Sequence, residues 1–384
     1  MTDHRPYDPL IDTLGNLSIT AWWPVRVVVL ALCAMAVVGA VRALRRPASP
    51  LVRALAVTAA VLLALLTVGG VVNAHYAYVP TLGEALGDAS SLSSPAGVDG
   101  GRIPATGQVV PLTVPPTASN FSARQAQVYL PPAWFARQRP ALPVVMLLHG
   151  EPGDPSDWTD GGEAAATADA WAAQHHGVAP VLVMPDINGS LTADTECVDS
   201  PVGNAETYLT VDVPAAVQQR FGTTPPGRSW ALAGLSEGGT CAIMLALRHP
   251  DLFSTFGDFG GLSGPRVGES DTDTDPTVAE LFGGSRQEFA AHEPADLLAT
   301  GKPAFRALGG WFEVGGDDGD PLAAAQKLAP LAAAAGISTC LVVVPDGGHT
   351  FDVWSAAFRR SLPWMAARLG LVPAAPQMTA GCQS

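Results

Sequence analysis

Two long apolar segments near the start of the chain dominate its hydrophobic pattern. In the first, Arg26 is the only charged residue up to residue 40, and the second has only His75 as a residue that can carry charge. About 20 consecutive apolar residues are enough for a helix to span a bilayer. We therefore predict a membrane anchor with two transmembrane helices. The expected bounds are residues 22–44 and 54–78 for the helices and 1–80 for the anchor.

Basic residues crowd the short connection between these two segments. They are Arg42, Arg45, Arg46 and Arg53. The positive-inside rule places such a connection in the cytoplasm, so everything after the second segment faces outward. We expect a cell-membrane protein with two spans and an extracytoplasmic main domain. The alternative is a cleavable signal peptide, because the small residues of VNA at 72–74 could admit signal peptidase. That alternative also exports the remainder.

The chain beyond the anchor divides into three parts. Residues 81–104 are rich in Gly, Ser, Ala and Asp and are predicted to be a linker. Residues 105–370 are predicted to be the folded domain, and residues 371–384 a C-terminal tail.

Within the folded domain, short β-rich apolar runs alternate with helical stretches. Two early strands, ended by prolines, are predicted within residues 107–116 and 124–132. Later apolar runs occupy residues 143–150, 180–186, 229–236, 254–261, 308–316 and 338–346. Helical stretches lie near residues 163–175, 210–220, 237–248, 321–335 and 352–368. Continuous apolar strands are typical of a parallel sheet that is buried on both faces. The pattern predicts an α/β fold with a mostly parallel sheet and helices on both faces.

Composition adds two constraints on the possible partners. The 384 residues are 48% hydrophobic and 15% charged, with mean hydropathy +0.23, which agrees with part of the chain lying in lipid. Residues 1–80 carry six basic and three acidic residues, whereas the remainder carries 15 basic and 32 acidic residues. A nucleic-acid-binding domain needs a basic surface. We therefore expect a membrane as a partner, and no nucleic acid.

Four of the five cysteines follow the anchor, where disulfides are permitted if this part is exported. They are Cys197, Cys241, Cys340 and Cys382. Four cysteines allow three complete pairings. We favour Cys197 with Cys241, because Cys241 lies at the start of a predicted helix and Cys197 in a loop after a predicted neighbouring strand.

The stretch GLSEG at residues 234–238 contains the first candidate catalytic residue. It fits the pattern G-x-S-x-G in the context that this motif requires, with a strand before it and a helix after it. A sharp strand-to-helix turn lifts the serine side chain out of the sheet, and glycines leave room for it. An ordinary Gly/Ser turn is the alternative. The context predicts that Ser236 is a nucleophile.

A serine nucleophile needs a histidine base that a carboxylate orients, and in this type of fold the chain order is Ser, acid, His. His349 follows the last predicted strand. His249 lies at the end of a helix, and His292 lies in a helical stretch, so His349 is our predicted base. The segment FEVGGDDGD offers Asp317, Asp318 and Asp320 as acids. Asp318 is the first choice and Asp317 the second, because a shift of one residue needs geometry to settle it.

Acyl transfer also needs backbone N–H groups that stabilise the developing oxyanion. One donor usually belongs to the residue after the nucleophile, here Glu237, and the other to a loop after an early strand. LLHGEPG is that loop, and the N–H of Glu151 is the predicted second donor. This chemistry uses side chains and backbone alone, so we expect no cofactor and no metal.

Taken together, LLHGEPGDPSDW, LAGLSEGGTCAIMLALRHPDLF, VGGDDGD and GGHTFDVW resemble the esterase D-type α/β-hydrolases. That group includes S-formylglutathione hydrolases, enterochelin and feruloyl esterases, and secreted mycolyltransferases. The resemblance covers residues 105–370 approximately and implies the α/β-hydrolase fold. It also implies a serine esterase or acyltransferase acting on an ester, such as an envelope lipid or glycolipid, with the catalytic and oxyanion residues named above.

The sequence admits three other interpretations of its function and of its acidic loop. A hydrolase fold that only binds or acts as a scaffold is the main alternative, although all three triad residue types occur in order. A transporter is excluded by the number of spans. The alternating acids Asp271, Asp273 and Asp275 suggest a calcium loop, but Pro276 and Phe282 stand where such a loop needs Gly and Glu. We therefore expect a solvated loop there.

Overall fold

The structure is a computed structural model that describes residues 23–45, 49–76, 103–191, 193–268 and 270–373. The chain divides into two compact units, the first ending at Ala89 and the second beginning at Ser90. Each unit is described separately below. The predicted bounds of the anchor, linker and tail remain predictions, and Cys382 lies outside the described residues.

The first unit contains two helices, α1 (Trp23–Arg45) and α2 (Pro50–Tyr76), which pack against each other. The start of α2 follows from its sequence. Ser49 precedes the helix and its Oγ accepts the N–H of Val52 at 3.3 Å. Proline suits the first helical position, because the N–H that it lacks would have no partner inside the helix.

Within α2, the segment Pro50–Gly70 is long and apolar enough to cross a membrane. Its mean hydropathy is 2.4 and none of it is buried inside the protein. It is the one segment with these properties in the part of the chain that the structure describes. The predicted span at residues 22–44 coincides with a helix, but as a second membrane span it stays a prediction.

The second unit is built on an eight-stranded sheet. Its strands in chain order are β1 (Gln108–Leu112), β2 (Ala126–Leu130), β3 (Val144–Leu148), β4 (Val181–Met184), β7 (Gly227–Leu235), β8 (Phe253–Phe259), β9 (Gly309–Gly315) and β10 (Ser338–Val344). The intervening β5 (Asp199–Ser200) and β6 (Gly203–Asn204) form a separate two-stranded hairpin. The spatial order is β1-β2-β4-β3-β7-β8-β9-β10. β2 pairs antiparallel with β1 and β4, and the other pairs are parallel.

Helices cover this sheet on both faces, as the continuous apolar runs predicted. The helices are α3 (Ala164–Gln174), α4 (Val213–Phe221), α5 (Glu237–Arg248), α6 (Asp275–Glu280), α7 (Arg286–Ala290), α8 (Pro294–Ala299), α9 (Gly319–Ala334) and α10 (Phe351–Arg368). α3 packs against α10, whereas α8 contacts both α5 and α9. Every residue of β2, β3 and β4 is buried, so side chains pointing to either face lie in a core.

The predicted α/β fold is confirmed, and each apolar run contains a strand. The differences are local. The helix expected near residues 210–220 starts earlier: Ala205–Thr207 is already α-helical, Tyr208–Asp212 is a π-helical turn, and α4 continues from Val213. The predicted bond between Cys197 and Cys241 is present and ties the loop after β4 to the first turns of α5.

Candidate active site

Ser236 lies in the sharp turn between β7 and α5. Its backbone has φ 54° and ψ −126°, a conformation that a non-glycine residue seldom adopts. Its N–H donates to the carbonyl oxygen of Phe259 at 3.0 Å, which holds the turn against the end of β8. The helix α5 begins at the next residue. The Ser236 side chain is half-buried and lies at the edge of the sheet where the parallel strands end.

The glycines around Ser236 permit a very close approach of backbone segments. A Cβ at Gly234 would lie 2.0 Å from the carbonyl oxygen of Gly238, and one at Gly238 would lie 2.3 Å from that of Leu148. Both distances are far below contact distance. Glycine at these positions therefore lets α5 start directly against the ends of β7 and β3.

Three of the predicted residues meet at this edge. His349 Nε2 lies 2.8 Å from Ser236 Oγ, and His349 Nδ1 lies 2.9 Å from Asp318 Oδ2. With a proton on Nδ1, the imidazole donates to the carboxylate and Nε2 accepts the serine hydroxyl. The structure thus brings together a hydroxyl, an imidazole and a carboxylate that come from three distant parts of the chain.

The two neighbouring aspartates after β9 have different environments. Asp318 is buried, with 7% of its surface exposed, and faces His349. Asp317 is exposed, and its backbone N–H donates to the carbonyl oxygen of Gly347 at 2.8 Å. Asp320 is also exposed and accepts the N–H of Asp271. Of these three aspartates, Asp318 is the one whose carboxylate contacts His349.

The imidazole of His349 is further positioned by an aromatic neighbour. The Trp354 ring meets the His349 ring edge-on, with centroids 4.8 Å apart and an interplanar angle of 90°. Trp354 belongs to the first turn of α10, which begins two residues after His349. Packing against the Trp354 ring restricts rotation of the imidazole. The imidazole therefore stays within hydrogen-bond distance of both Asp318 and Ser236.

The loop with the predicted oxyanion donor Glu151 adjoins the serine turn. A Cβ at Gly150 would lie 3.0 Å from Ser236 Cβ, which places this loop beside the nucleophile. Glu237 is the first residue of α5, and the leading N–H groups of a helix have no partner within it. The positive end of the helix dipole adds to the attraction for an anion.

Sequence reasoning missed the group of side chains that anchors this loop. His149 Nδ1 donates to the carbonyl oxygen of Gly150 at 2.7 Å, and its Nε2 lies 3.2 Å from Asp186 Oδ1. Asp186 also accepts the guanidinium and backbone N–H of Arg124, both at 2.6 Å. Burial alone would raise the pKa of Asp186, but its contacts with His149 and Arg124 hold that pKa well below its usual range. A buried, ionised carboxylate thus fixes the start of the loop.

The side chain of Glu237 points away from the serine into a second buried group. Its Oε2 accepts the side-chain N–H of Asn188 at 2.7 Å, and its Oε1 accepts the backbone N–H of Glu196 at 3.2 Å. Burial, together with the nearby charge of Asp194, raises the pKa of Glu237 well above its usual value. The spacing of these residues in the sequence does not predict that they meet. The predicted disulfide at Cys197 did place their loop near α5.

The other two histidines weighed as bases lie in a separate cluster. His249 Nε2 and His292 Nε2 lie 2.6 and 3.2 Å from the carboxylate oxygens of Glu206. Arg248 donates to the same carboxylate at 2.7 Å. Burial would raise the pKa of Glu206, but these hydrogen bonds hold that pKa well below its usual range. His249 follows α5 and His292 precedes α8, and both contact Glu206. These two histidines therefore help to hold the end of α5 against the segment before α8.

In the acidic loop at residues 271–275, two carboxylates form hydrogen bonds or ion pairs with other residues of the protein. Asp271 accepts the N–H and the hydroxyl of Ser263, both at 2.7 Å. Asp275 forms an exposed ion pair with Arg286. Asp273 and Asp275 are exposed, whereas Asp271 is partly buried.

Comparison with known sequences agrees with this architecture. The sequence model of a family described as "putative esterase" matches residues 120–365. The chain is also 36% identical over 325 residues to the uncharacterized protein Cgl0967/cg1104 of Corynebacterium glutamicum, covering 80% of this chain and 75% of that protein.

Three solved structures show the same fold. A ferulic acid esterase has a TM-score of 0.58 and 21% identity, with 69% of this chain and 99% of that chain covered. An S-formylglutathione hydrolase from Agrobacterium tumefaciens has a TM-score of 0.57 and 21% identity, covering 70% and 98%. MPT51 (FbpC1) of Mycobacterium tuberculosis has a TM-score of 0.51 and 18% identity, covering 67% and 97%.

The resemblance found in the motifs is therefore confirmed at the level of the family and of the fold. The match to the family extends from before β2 into α10 and so includes the whole edge where Ser236, Asp318 and His349 meet. This chain belongs to the esterase family of α/β-hydrolase fold, and it is an enzyme of ester hydrolysis or acyl transfer.

Proposed function

We propose that this protein is a membrane-tethered serine esterase or acyltransferase in which Ser236, His349 and Asp318 form the catalytic triad. The observation that carries the proposal is the position of the His349 ring, with one nitrogen 2.8 Å from Ser236 Oγ and the other 2.9 Å from Asp318 Oδ2. Burial of Asp318 favours a strong interaction with the imidazolium that forms during the reaction.

The reaction proceeds in two stages. Ser236 Oγ bonds to the carbonyl carbon of the ester while His349 Nε2 takes the hydroxyl proton, and the backbone N–H groups of Glu237 and Glu151 stabilise the oxyanion. Collapse breaks the ester bond, and His349 returns the proton to the leaving alcohol, which leaves an acyl group on Ser236. Water or an acceptor hydroxyl then attacks this acyl-enzyme by the same proton transfers.

The substrate class follows from where the enzyme would work. An apolar, unburied helix of membrane length supports a tether that keeps the hydrolase domain near lipid. The basic connection before that helix supports an extracytoplasmic domain, and so does the disulfide between Cys197 and Cys241. We propose an acyl lipid or glycolipid of the cell envelope as the ester.

The catalytic proposal is tested by turnover of short p-nitrophenyl esters by the full chain in detergent. We expect a rapid burst of about one p-nitrophenol per chain followed by slower turnover, because an acyl-enzyme accumulates when its hydrolysis is slower than its formation. His349→Gln, which keeps a polar side chain but supplies no base, should abolish both phases.

His249→Gln is the matched control, since this histidine is also partly buried and paired with a carboxylate. It should keep the burst and the turnover. Equal hydrolysis by the wild type and His349→Gln would contradict the proposal. Absence of hydrolysis by the wild type would favour the binding or scaffolding alternative.

The orientation is tested by reporter fusions at residue 104. Alkaline phosphatase, which folds only outside the cytoplasm, should be active there, and β-galactosidase should be inactive. Removing the basic residues of the connection should weaken this preference, because they set the orientation. The opposite pattern of reporter activity would show that the hydrolase domain lies inside the cell.

A further inference from the structure

Three carboxylates lie together behind the serine turn. Oxygen atoms of Asp194, Glu196 and Glu237 all lie within 4.8 Å of one another. Glu196 and Glu237 are 5% and 8% exposed, so two of the three are almost completely removed from water. This arrangement concentrates negative charge in a region that solvates charge poorly.

Hydrogen bonds satisfy only part of this carboxylate cluster. Both oxygens of Glu237 accept N–H groups, from Asn188 and Glu196, and Asp194 Oδ2 accepts the backbone N–H of Gly268 at 3.2 Å. By contrast, Glu196 Oε2 and Asp194 Oδ1 are buried and have no hydrogen-bond partner. Glu196 is more than nine-tenths buried, and one oxygen of its clustered carboxylate lacks a hydrogen-bond partner.

Charged side chains of the protein do not balance the cluster. Within the described residues, no lysine, arginine or histidine forms an ion pair with any of the three acids. The backbone N–H and the charge of Arg266 act to lower the pKa of Glu196, but its guanidinium donates to Glu293 and to the carbonyl oxygens of Pro265 and Asp271. Burial, then the charges of Asp194 and Glu237, raise the pKa of Glu196 well above its usual value.

Three adjacent carboxylates, two of them buried and one partly buried, need either bound protons or a cation. A proton would join two neighbouring carboxyl groups, as Asp194 and Glu196 are placed to do, whereas a metal ion would use the unpartnered oxygens directly; the calcium titration below separates the two cases. The donor set contains only oxygen, which suits a hard cation. Carboxylates that bind with one or two oxygens, in irregular geometry, are typical of Ca²⁺, whereas Mg²⁺ demands near-ideal octahedral geometry and keeps several waters.

We propose that Asp194, Glu196 and Glu237 form a calcium site that links the loop after β4 to the first turn of α5. The site departs from the expectation of no metal, and it is distinct from the acidic loop at residues 271–275. The disulfide Cys197–Cys241 joins the same loop to the same helix. The ion and the covalent bond would therefore both stabilise the contact between this loop and α5. The ion acts on the side chain of Glu237 and so positions that residue's backbone.

The test uses the full chain in detergent after removal of metals with a chelator. Equilibrium dialysis against Ca²⁺ at up to about 5 mM, above the dissociation constants of weak extracellular calcium modules, should give one bound ion per chain. Bound Ca²⁺ should also raise the midpoint of thermal unfolding, because it binds the folded state in preference to the unfolded chain. Both readouts are independent of catalytic activity.

Glu196→Gln removes one ligand charge but keeps the shape, and it should weaken calcium binding at least tenfold. Asp194→Asn should do the same, which provides a second variant if the first fails to fold. Asp273→Asn is the matched control, because it removes an exposed acid from the nearby loop, and it should bind as the wild type does.

Two outcomes would overturn the proposal. One is that the wild type binds no Ca²⁺ in this range. The other is that Glu196→Gln stabilises the metal-free chain and leaves the response to calcium unchanged, which would show that protons balance the cluster.

Discussion

Ser236→Ala is expected to lower kcat for ester hydrolysis by a factor on the order of 10⁴ or more, because no other group can form the acyl-enzyme. The variant should fold as the wild type does, since alanine has the same Cβ and meets the same strain at φ 54°. The measurement is steady-state hydrolysis of p-nitrophenyl butyrate, together with thermal unfolding to confirm that stability is unchanged.

Ser254→Ala is the control for this experiment. The Ser254 hydroxyl donates to the carbonyl oxygen of Arg228, near the amino-terminal end of β8 and away from the edge that carries Ser236. We expect activity close to that of the wild type. If Ser236→Ala retained more than about a tenth of the wild-type kcat, Ser236 would not be the nucleophile, since removing a nucleophile costs orders of magnitude more.

Asp318→Asn is expected to lower kcat by a factor on the order of 10³–10⁴, with a smaller change in KM. An asparagine amide facing His349 Nδ1 favours the tautomer that carries its proton on Nε2. That nitrogen then cannot accept the proton of Ser236, although the shape of the site is unchanged. Rates measured from pH 5 to 9 should stay low throughout, because the defect is in the tautomer and not in a shifted titration.

Asp317→Asn is the matched control, because it makes the same change one residue away at an exposed position. It should leave kcat within about twofold, as most surface substitutions have little effect. A large loss in Asp317→Asn with a small loss in Asp318→Asn would contradict the assignment of the acid.

Local patterns were enough to predict the sheet and the serine turn. The turn needs glycines within two residues of Ser236, so its requirements appear in consecutive letters of the sequence. His349 was predictable because it follows the last strand and the chain order of such sites is constrained. The choice between Asp317 and Asp318 was a preference only, since neighbouring residues in a turn point in different directions.

The buried carboxylates behind the turn were not predictable in the same way. Asp194 and Glu196 lie in an irregular loop, and Glu237 begins a helix 41 residues after Glu196. No spacing relates them, and their meeting depends on how the loop after β4 folds back on α5. The hydrogen-bonded network of His149, Asp186 and Arg124 was not predictable for the same reason.

The central claim is tested most directly by locating the covalent adduct. The full chain is treated with a fluorophosphonate, which reacts with activated serines, and then digested and analysed by peptide mass spectrometry. We expect one modified residue, Ser236, and loss of the modification in His349→Gln. Modification of a different residue, or unchanged labelling of His349→Gln, would contradict the assignment of Ser236 as the nucleophile.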